Sequence, residues 1–134
     1  MPSNAQNTTK LLLKRILIVD DEIEHVEALA TILAEMSREI QKAASVMEAA
    51  QRLRNQVFDC ILLDLKLGNG SGLDVLKQMR ADRSSLNAKS PVLIISGHLD
   101  KAAVQAAGPH VIGFLVKPVT KEMVLAKLRA QFQT

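Results

Sequence analysis

Ile16-Leu17-Ile18-Val19-Asp20-Asp21 decides the fold. Four aliphatic residues run together without polar alternation and end abruptly in two carboxylates. A strand of that kind has both faces buried, as in a parallel sheet covered by helices on each side. Residues 57–63, 92–95 and 111–116 form three more runs of strand length, rich in Val, Ile and Leu. Residues 39–44 make a weaker segment, suited to a sheet edge.

Helical patterns fill the intervals. Ile23, Val26, Leu29, Leu33 and Met36 recur at steps of three and four, with Asp21 and Glu24 spaced as a capping pair. Ser45 and Glu48 form a capping box ahead of a helix over Val46–Asn55. Leu73, Leu76 and Met79 mark a third helix, entered through Gly70-Ser71-Gly72. A short alanine-rich helix over 102–107 stops at Gly108-Pro109, where proline blocks continuation. Met123, Ala126 and Ala130 are expected to line the inner stripe of the last helix. Strand and helix therefore alternate about five times, which implies right-handed crossovers and an α/β, flavodoxin-like, doubly wound five-stranded parallel sheet of order 2-1-3-4-5, with helices on both faces.

Composition narrows the function classes. The chain has 134 residues, 48% of them hydrophobic, a formal charge of +3 and one cysteine. That fits one domain: a flexible arm over residues 1–13 and a folded unit over 14–134. With Cys60 alone no internal disulfide forms, and a cytoplasmic setting is expected. No apolar stretch approaches the roughly 20 residues of a membrane span, and the N-terminus lacks a signal-peptide pattern. The basic residues are scattered and the chain has no Trp or Tyr, so no direct nucleic-acid contact and no membrane contact is expected. His25, His98 and His110 share no metal-ligand spacing, which argues against zinc.

In open parallel sheets, ligands bind beyond the carboxyl ends of the strands, near the point where the order reverses. Asp20 and Asp21 follow the first run, Asp64 the second, Ser96 the third, and Lys117-Pro118 the fourth. Singly, each reads as a helix cap or turn residue. Together they bring three carboxylates, a hydroxyl and an ammonium to one rim. Clustered carboxylates repel one another and must bind protons or a cation. Oxygen ligands on short side chains suit Mg²⁺, which often bridges carboxylates to phosphate. A lysine beside them pairs with an anion, and an Asp carboxylate can accept a phosphoryl group as an acyl phosphate.

Asp20-Asp21-Glu22, Asp64, Ser96 and Phe114-Leu115-Val116-Lys117-Pro118, in that order and spacing, resemble the receiver domain of two-component response regulators (the CheY-like family). The resemblance extends from about Arg15 to Phe132. It implies a phosphorylation-activated signalling switch. Asp64 is then the phosphoacceptor, charged by a phosphohistidine of a histidine kinase or histidine phosphotransfer protein. Mg²⁺ (or Mn²⁺) is then held by Asp20, Asp21, Asp64 and the backbone carbonyl of Lys66. Lys117 and Ser96 bind the phosphoryl oxygens. Ser96 and Phe114 form the switch, and Pro118 sets the loop geometry, often through a cis peptide. The output is a protein target reading the face of the fourth helix, fifth strand and fifth helix, from a monomer or a phosphorylation-dependent dimer.

Four features depart from the family pattern. Phe114 lacks the hydroxyl of the tyrosine common at its position. Lys66 puts a cation two residues after Asp64. Gly68 replaces a common proline, which is expected to loosen its loop. Residues 108–113 are about two longer than usual. The chain ends soon after its last helix, which favours a stand-alone receiver. A fragment of a larger regulator or hybrid histidine kinase is the alternative. An aspartate-nucleophile phosphatase needs a second acid two residues after the nucleophile, where Lys66 stands. A constitutive dimerisation module would not need the intact site, and a flavodoxin would need a hydroxyl-rich phosphate loop after the first strand. The expected role is therefore not that of a turnover enzyme: the switch catalyses only its own phosphorylation and dephosphorylation.

Overall fold

The computed structural model describes residues 12–133. Strands β1 (Leu13–Val19), β2 (Ser37–Ala43), β3 (Cys60–Leu63), β6 (Val92–Ser96) and β7 (Gly113–Val116) form one parallel sheet in the order β2-β1-β3-β6-β7. Two-residue strands β4 (Lys66–Leu67) and β5 (Gly70–Ser71) make a separate antiparallel ribbon after β3. Without that ribbon the order is 2-1-3-4-5, with β2 at the edge, as the sequence predicts. The helices are α1 (Ile23–Leu33), α2 (Val46–Asn55), α3 (Gly72–Ala81), α4 (Lys101–Ala107) and α5 (Lys121–Phe132).

Strand side chains alternate between faces, and here both faces are apolar. Ile16, Ile18, Cys60, Leu62, Leu93 and Ile95 pack with Val26, Leu29 and Leu33 of α1 and Val124, Leu125 and Leu128 of α5. Leu17, Val19, Ile61, Leu63, Val92 and Ile94 pack with Ala49 and Leu53 of α2, Val75, Leu76 and Met79 of α3, and Ala107 of α4. The unbroken aliphatic runs thus feed two cores divided by the sheet. Losing one such side chain, as in Leu62→Ala, costs about 2–5 kcal/mol.

Some local expectations need correction. The inner stripe of α5 is Val124, Leu125 and Leu128, whereas Met123, Ala126 and Ala130 are exposed. The bulky aliphatics outcompete alanine for the core because each buries more area. Helix α1 starts from Glu22 with no side-chain cap; Asp21 is turned elsewhere. Ile23 is 73% exposed, and Met36 is buried beyond the helix end. At α2, Ser45 Oγ accepts from the Glu48 N–H (3.1 Å) and Glu48 Oε1 accepts from the Ala44 N–H (3.0 Å), a capping box whose return bond lands one residue early. Residues 1–11 of the expected arm lie outside the described residues, and Leu13 is already buried in β1.

Two polar side chains fasten the loop between α3 and β6. Asn87 is buried; its amide donates to the carbonyls of Leu53 (2.8 Å) and Gln56 (2.7 Å), and its oxygen accepts from the Phe58 N–H (2.8 Å). Arg80, at the end of α3, donates to the carbonyls of Ala88 (3.0 Å), Ser90 (2.9 Å) and His110 (2.7 Å). His110 closes a 3-10 turn, Gly108–His110, between α4 and β7.

Candidate functional site

The chemistry-bearing residues lie at or just past the last rungs of the sheet. The Asp20 N–H donates to the Ala43 carbonyl (3.0 Å), the Asp64 N–H to that of Val19 (2.9 Å) and the Lys117 N–H to that of Ser96 (2.9 Å). Ladder bonds therefore fix the backbone of each residue before its side chain is placed. The start of α3 closes in from the opposite side, where the Gly72 N–H donates to the Leu65 carbonyl (2.8 Å).

Asp20, Asp64 and Ser96 are buried, and Asp21 is exposed at the rim. Ser96 Oγ donates to Asp64 Oδ1 (2.9 Å), and the Lys66 N–H reaches the same oxygen at 3.1 Å. Lys117 Nζ lies 2.7 Å from Asp64 Oδ2, 3.1 Å from Asp20 Oδ2 and 2.6 Å from Glu22 Oε1. Burial works against the charge on Lys117, but its bonds to Asp64, Glu22 and Asp20 outweigh that and hold the ammonium above its ordinary range. The same contact, first as hydrogen bond and then as charge, holds Glu22 below the usual carboxylate value.

Asp20, Glu22 and Asp64 all contact one lysine, and Asp21 stands beside Asp20 and Asp64, so the site carries surplus negative charge. One carboxylate oxygen from each of Asp20, Asp21 and Asp64 lies within 4.8 Å of the other two. Octahedral Mg²⁺, with bonds of about 2.1 Å, places its ligand oxygens roughly 3.0 to 4.2 Å apart. The three aspartates therefore suit a small hard cation in spacing and in donor type.

The structure brings Asp20, Asp21, Asp64, Ser96 and Lys117 into one cluster. Phe114 stands apart from it, opposite Ile94 in the β6–β7 pairing, half-buried against the core beneath α4. The Lys117–Pro118 peptide is cis. The Lys66 side chain is exposed; what reaches Asp64 is its backbone. A cleft of about 710 Å³ opens above the cluster, walled by Leu65, Leu73 and Ala103.

Three contacts were not foreseen from the sequence. Glu22 adds a third carboxylate to Lys117. His25 Nδ1 meets Asp20 Oδ2 at 2.5 Å; its place in the first turn of α1, where side chains lean back toward the helix start, is the signal that points to it. The Gly68 N–H donates to Asp21 Oδ2 (2.8 Å) from a backbone with φ +56°. Proline has no N–H and cannot adopt that angle. Gly68 therefore tethers its loop to the acidic cluster, where loosening was expected.

The sequence pattern of the response regulator receiver domain matches residues 16–129. The chain belongs to that family. The receiver is 32% identical over 114 residues to the transcriptional regulatory protein ZraR of Escherichia coli K12, covering 84% of this chain and 25% of that protein. It is 35% identical over 122 residues to the response regulator protein PilR of Pseudomonas aeruginosa, covering 87% and 26%. It thus spans about a quarter of the length of these relatives. A CheY-like receiver domain protein of Methanospirillum hungatei superposes with a TM-score of 0.79 at 25% identity, over 89% of this chain and 93% of that one. A response regulator of Burkholderia pseudomallei, solved with a phosphorylated aspartic acid, a calcium ion and citrate, superposes with a TM-score of 0.75 at 29% identity, over 88% and 69%. Among the described residues, no helix of the receiver is long and apolar enough to cross a membrane.

Proposed function

We propose that this receiver is a phosphorylation switch whose phosphoacceptor is Asp64, charged by a phosphohistidine of a histidine kinase or histidine phosphotransfer protein. The observation that carries the reading is the division of labour on Asp64: one oxygen is met by Ser96 and the Lys66 N–H, the other by the Lys117 ammonium. Those donors are the ones a phosphoryl group on that carboxylate would need. The phosphorylated aspartic acid of the Burkholderia pseudomallei relative supports the same chemistry here.

In the transfer, an Asp64 carboxylate oxygen forms a bond to phosphorus as the bond from phosphorus to the donor imidazole nitrogen breaks, and the imidazole leaves with that electron pair. Lys117, already 2.7 Å from Asp64, pairs with a phosphoryl oxygen, and Ser96 donates its hydroxyl to another. Asp20, Asp21 and Asp64, with the backbone carbonyl of Lys66, would hold Mg²⁺ or Mn²⁺. A cation there supplies charge neutralisation for the equatorial oxygens. The cleft above the cluster leaves room for the donor side chain. The added charge favours one of two conformations. Ser96 drawn onto the phosphate frees space on the sheet for Phe114 to turn, and the α4–β7–α5 face changes for a protein partner. Pro118 keeps Lys117 aimed inward through the loop geometry.

The folded unit begins at Leu13, one residue before the expected start of 14. It works in the cytoplasm, consistent with a lone buried Cys60. Incubation with Mg²⁺ and a small phosphodonor, followed by intact mass measurement, is expected to show one added phosphoryl group, lost in Asp64→Asn and with chelator. Absence of a mass change where a control receiver is labelled would sink the proposal.

A further inference from the structure

We infer that His25 is a positioning residue of the cation site: its Nδ1–H fixes the Asp20 carboxylate in the orientation a divalent ion requires. This rests on Asp20, Asp21 and Asp64 being the cation ligands. His25 is the third residue of α1, so its side chain leans back over the residues before the helix. Nδ1 lies 2.5 Å from Asp20 Oδ2. A ligating carboxylate is ionised and has no proton to give, so the proton of this contact sits on Nδ1.

The other ring nitrogen sharpens the point. Nε2 is buried and has no hydrogen-bond partner among the described residues. Buried polar atoms are normally paired, and an apolar side chain would fill this place without an orphan nitrogen. Packing alone therefore does not account for an imidazole here, and its one polar contact is with a proposed ligand. No His25 atom joins the ligand cluster itself, which comprises the three aspartates. The ring stands behind the ligand.

The other donors to Asp20 cannot take over the task. The Glu22 N–H holds Oδ1 at 2.9 Å and leaves Oδ2 free to swing. Lys117 reaches Oδ2 at 3.1 Å but is shared with Asp64 and Glu22 on a flexible stem. A phosphoryl group on Asp64 would draw it away. His25 is the side chain that holds Oδ2 from a rigid helix.

The test is calorimetric titration of the whole chain with Mg²⁺ and with Mn²⁺, without phosphodonor, in wild type, His25→Leu, His25→Met and His25→Asn. Hydrogen-bonded partners of metal ligands typically contribute about 10–100-fold in affinity. Leucine and methionine remove the donor, so whichever of them is folded by circular dichroism should bind at least roughly tenfold more weakly. Asparagine carries an N–H close to the position of Nδ1 and should recover most of the loss. The rise in melting temperature on adding Mg²⁺ should shrink and return in step. Apolar variants that bind as tightly as wild type would overturn the inference alone, and so would His25→Asn being as weak as leucine. A wild-type chain that takes up neither cation would overturn the ligand reading and this inference with it.

Discussion

Replacing Gly72 by alanine should dislodge the start of α3 from the end of β3 and disturb the site through the backbone. A Cβ built on Gly72 lies 2.1 Å from the Asp64 carbonyl oxygen and 3.0 Å from both the Asp64 carbonyl carbon and Leu65 Cα. Ordinary contact begins at 3.4 Å, so the gap must open by the difference between 3.4 and 2.1 Å, about 1.3 Å. Every crowded atom is backbone, and none can rotate away. Overpacking costs about 1–3 kcal/mol; with backbone on the far side the upper end applies, about 3 kcal/mol. For a chain of this size that lowers the melting temperature by about 10 °C, measured by circular dichroism. The same displacement shifts Asp64, and a misplacement near 1 Å can slow a reaction about 100-fold, so phosphoryl uptake should fall as well. Gly108→Ala is the control: nothing lies within 4 Å of its added Cβ, and its backbone is helical at φ −47°, ψ −48°. It meets no such backbone collision, so its only loss should come from the preference of a residue before proline (here Pro109) for extended backbone, well below the loss in Gly72→Ala. A Gly72→Ala protein melting within about 2 °C of wild type, and phosphorylated at the same rate, would refute the reasoning.

Glu22 has its carboxyl held below the ordinary value of 4.5 by Lys117, so its contribution is present above about pH 4.5 and lost as pH falls through the lower folded value. Melting curves of Glu22→Gln should accordingly lose less stability on acidification than those of wild type. Asn87→Ala strands the buried Phe58 N–H and the carbonyls of Leu53 and Gln56 and should cost about 3 kcal/mol in urea unfolding. Burial pushes the Cys60 thiol up to about 12, so a thiol reagent should label native protein at neutral pH only as fast as the chain unfolds. Removing Lys117 as Lys117→Met should slow phosphorylation of Asp64 by at least about 100-fold while leaving three carboxylates to bind a cation; equal rates by mass measurement would dismiss its assigned role.

The layered architecture was legible because aliphatic runs such as residues 16–19 admit only one environment, buried on both faces. The cluster was legible because each of its residues directly follows a run, or closes one as Ser96 does, and strand ends converge in a doubly wound sheet. What escaped were contacts set by side-chain direction and loop backbone. The capping spacing of Asp21 and Glu24 was real, yet Asp21 found a better partner in the Gly68 N–H across 47 residues. The stripe in α5 falls on other residues because Met123, Ala126 and Ala130 also recur at helical spacing, and only packing against Leu93 and Ile95 selects Val124, Leu125 and Leu128. His25 shares no metal-ligand spacing with His98 and His110, a criterion blind to a residue that acts through its neighbour.

The Arg80 guanidinium, bridging the end of α3 to the turn that follows α4, has a mechanical consequence. Its bond to the His110 carbonyl (2.7 Å) pins the C-terminal end of α4. The other end of that helix begins at Asp100, four residues past Ser96, and has no comparable clamp among the described residues. Any tilt of α4 would therefore pivot at Gly108–His110 and be largest at the end beside the acidic rim. A displacement arising at Ser96 would act on the end of α4 that lies farthest from the Arg80 contact.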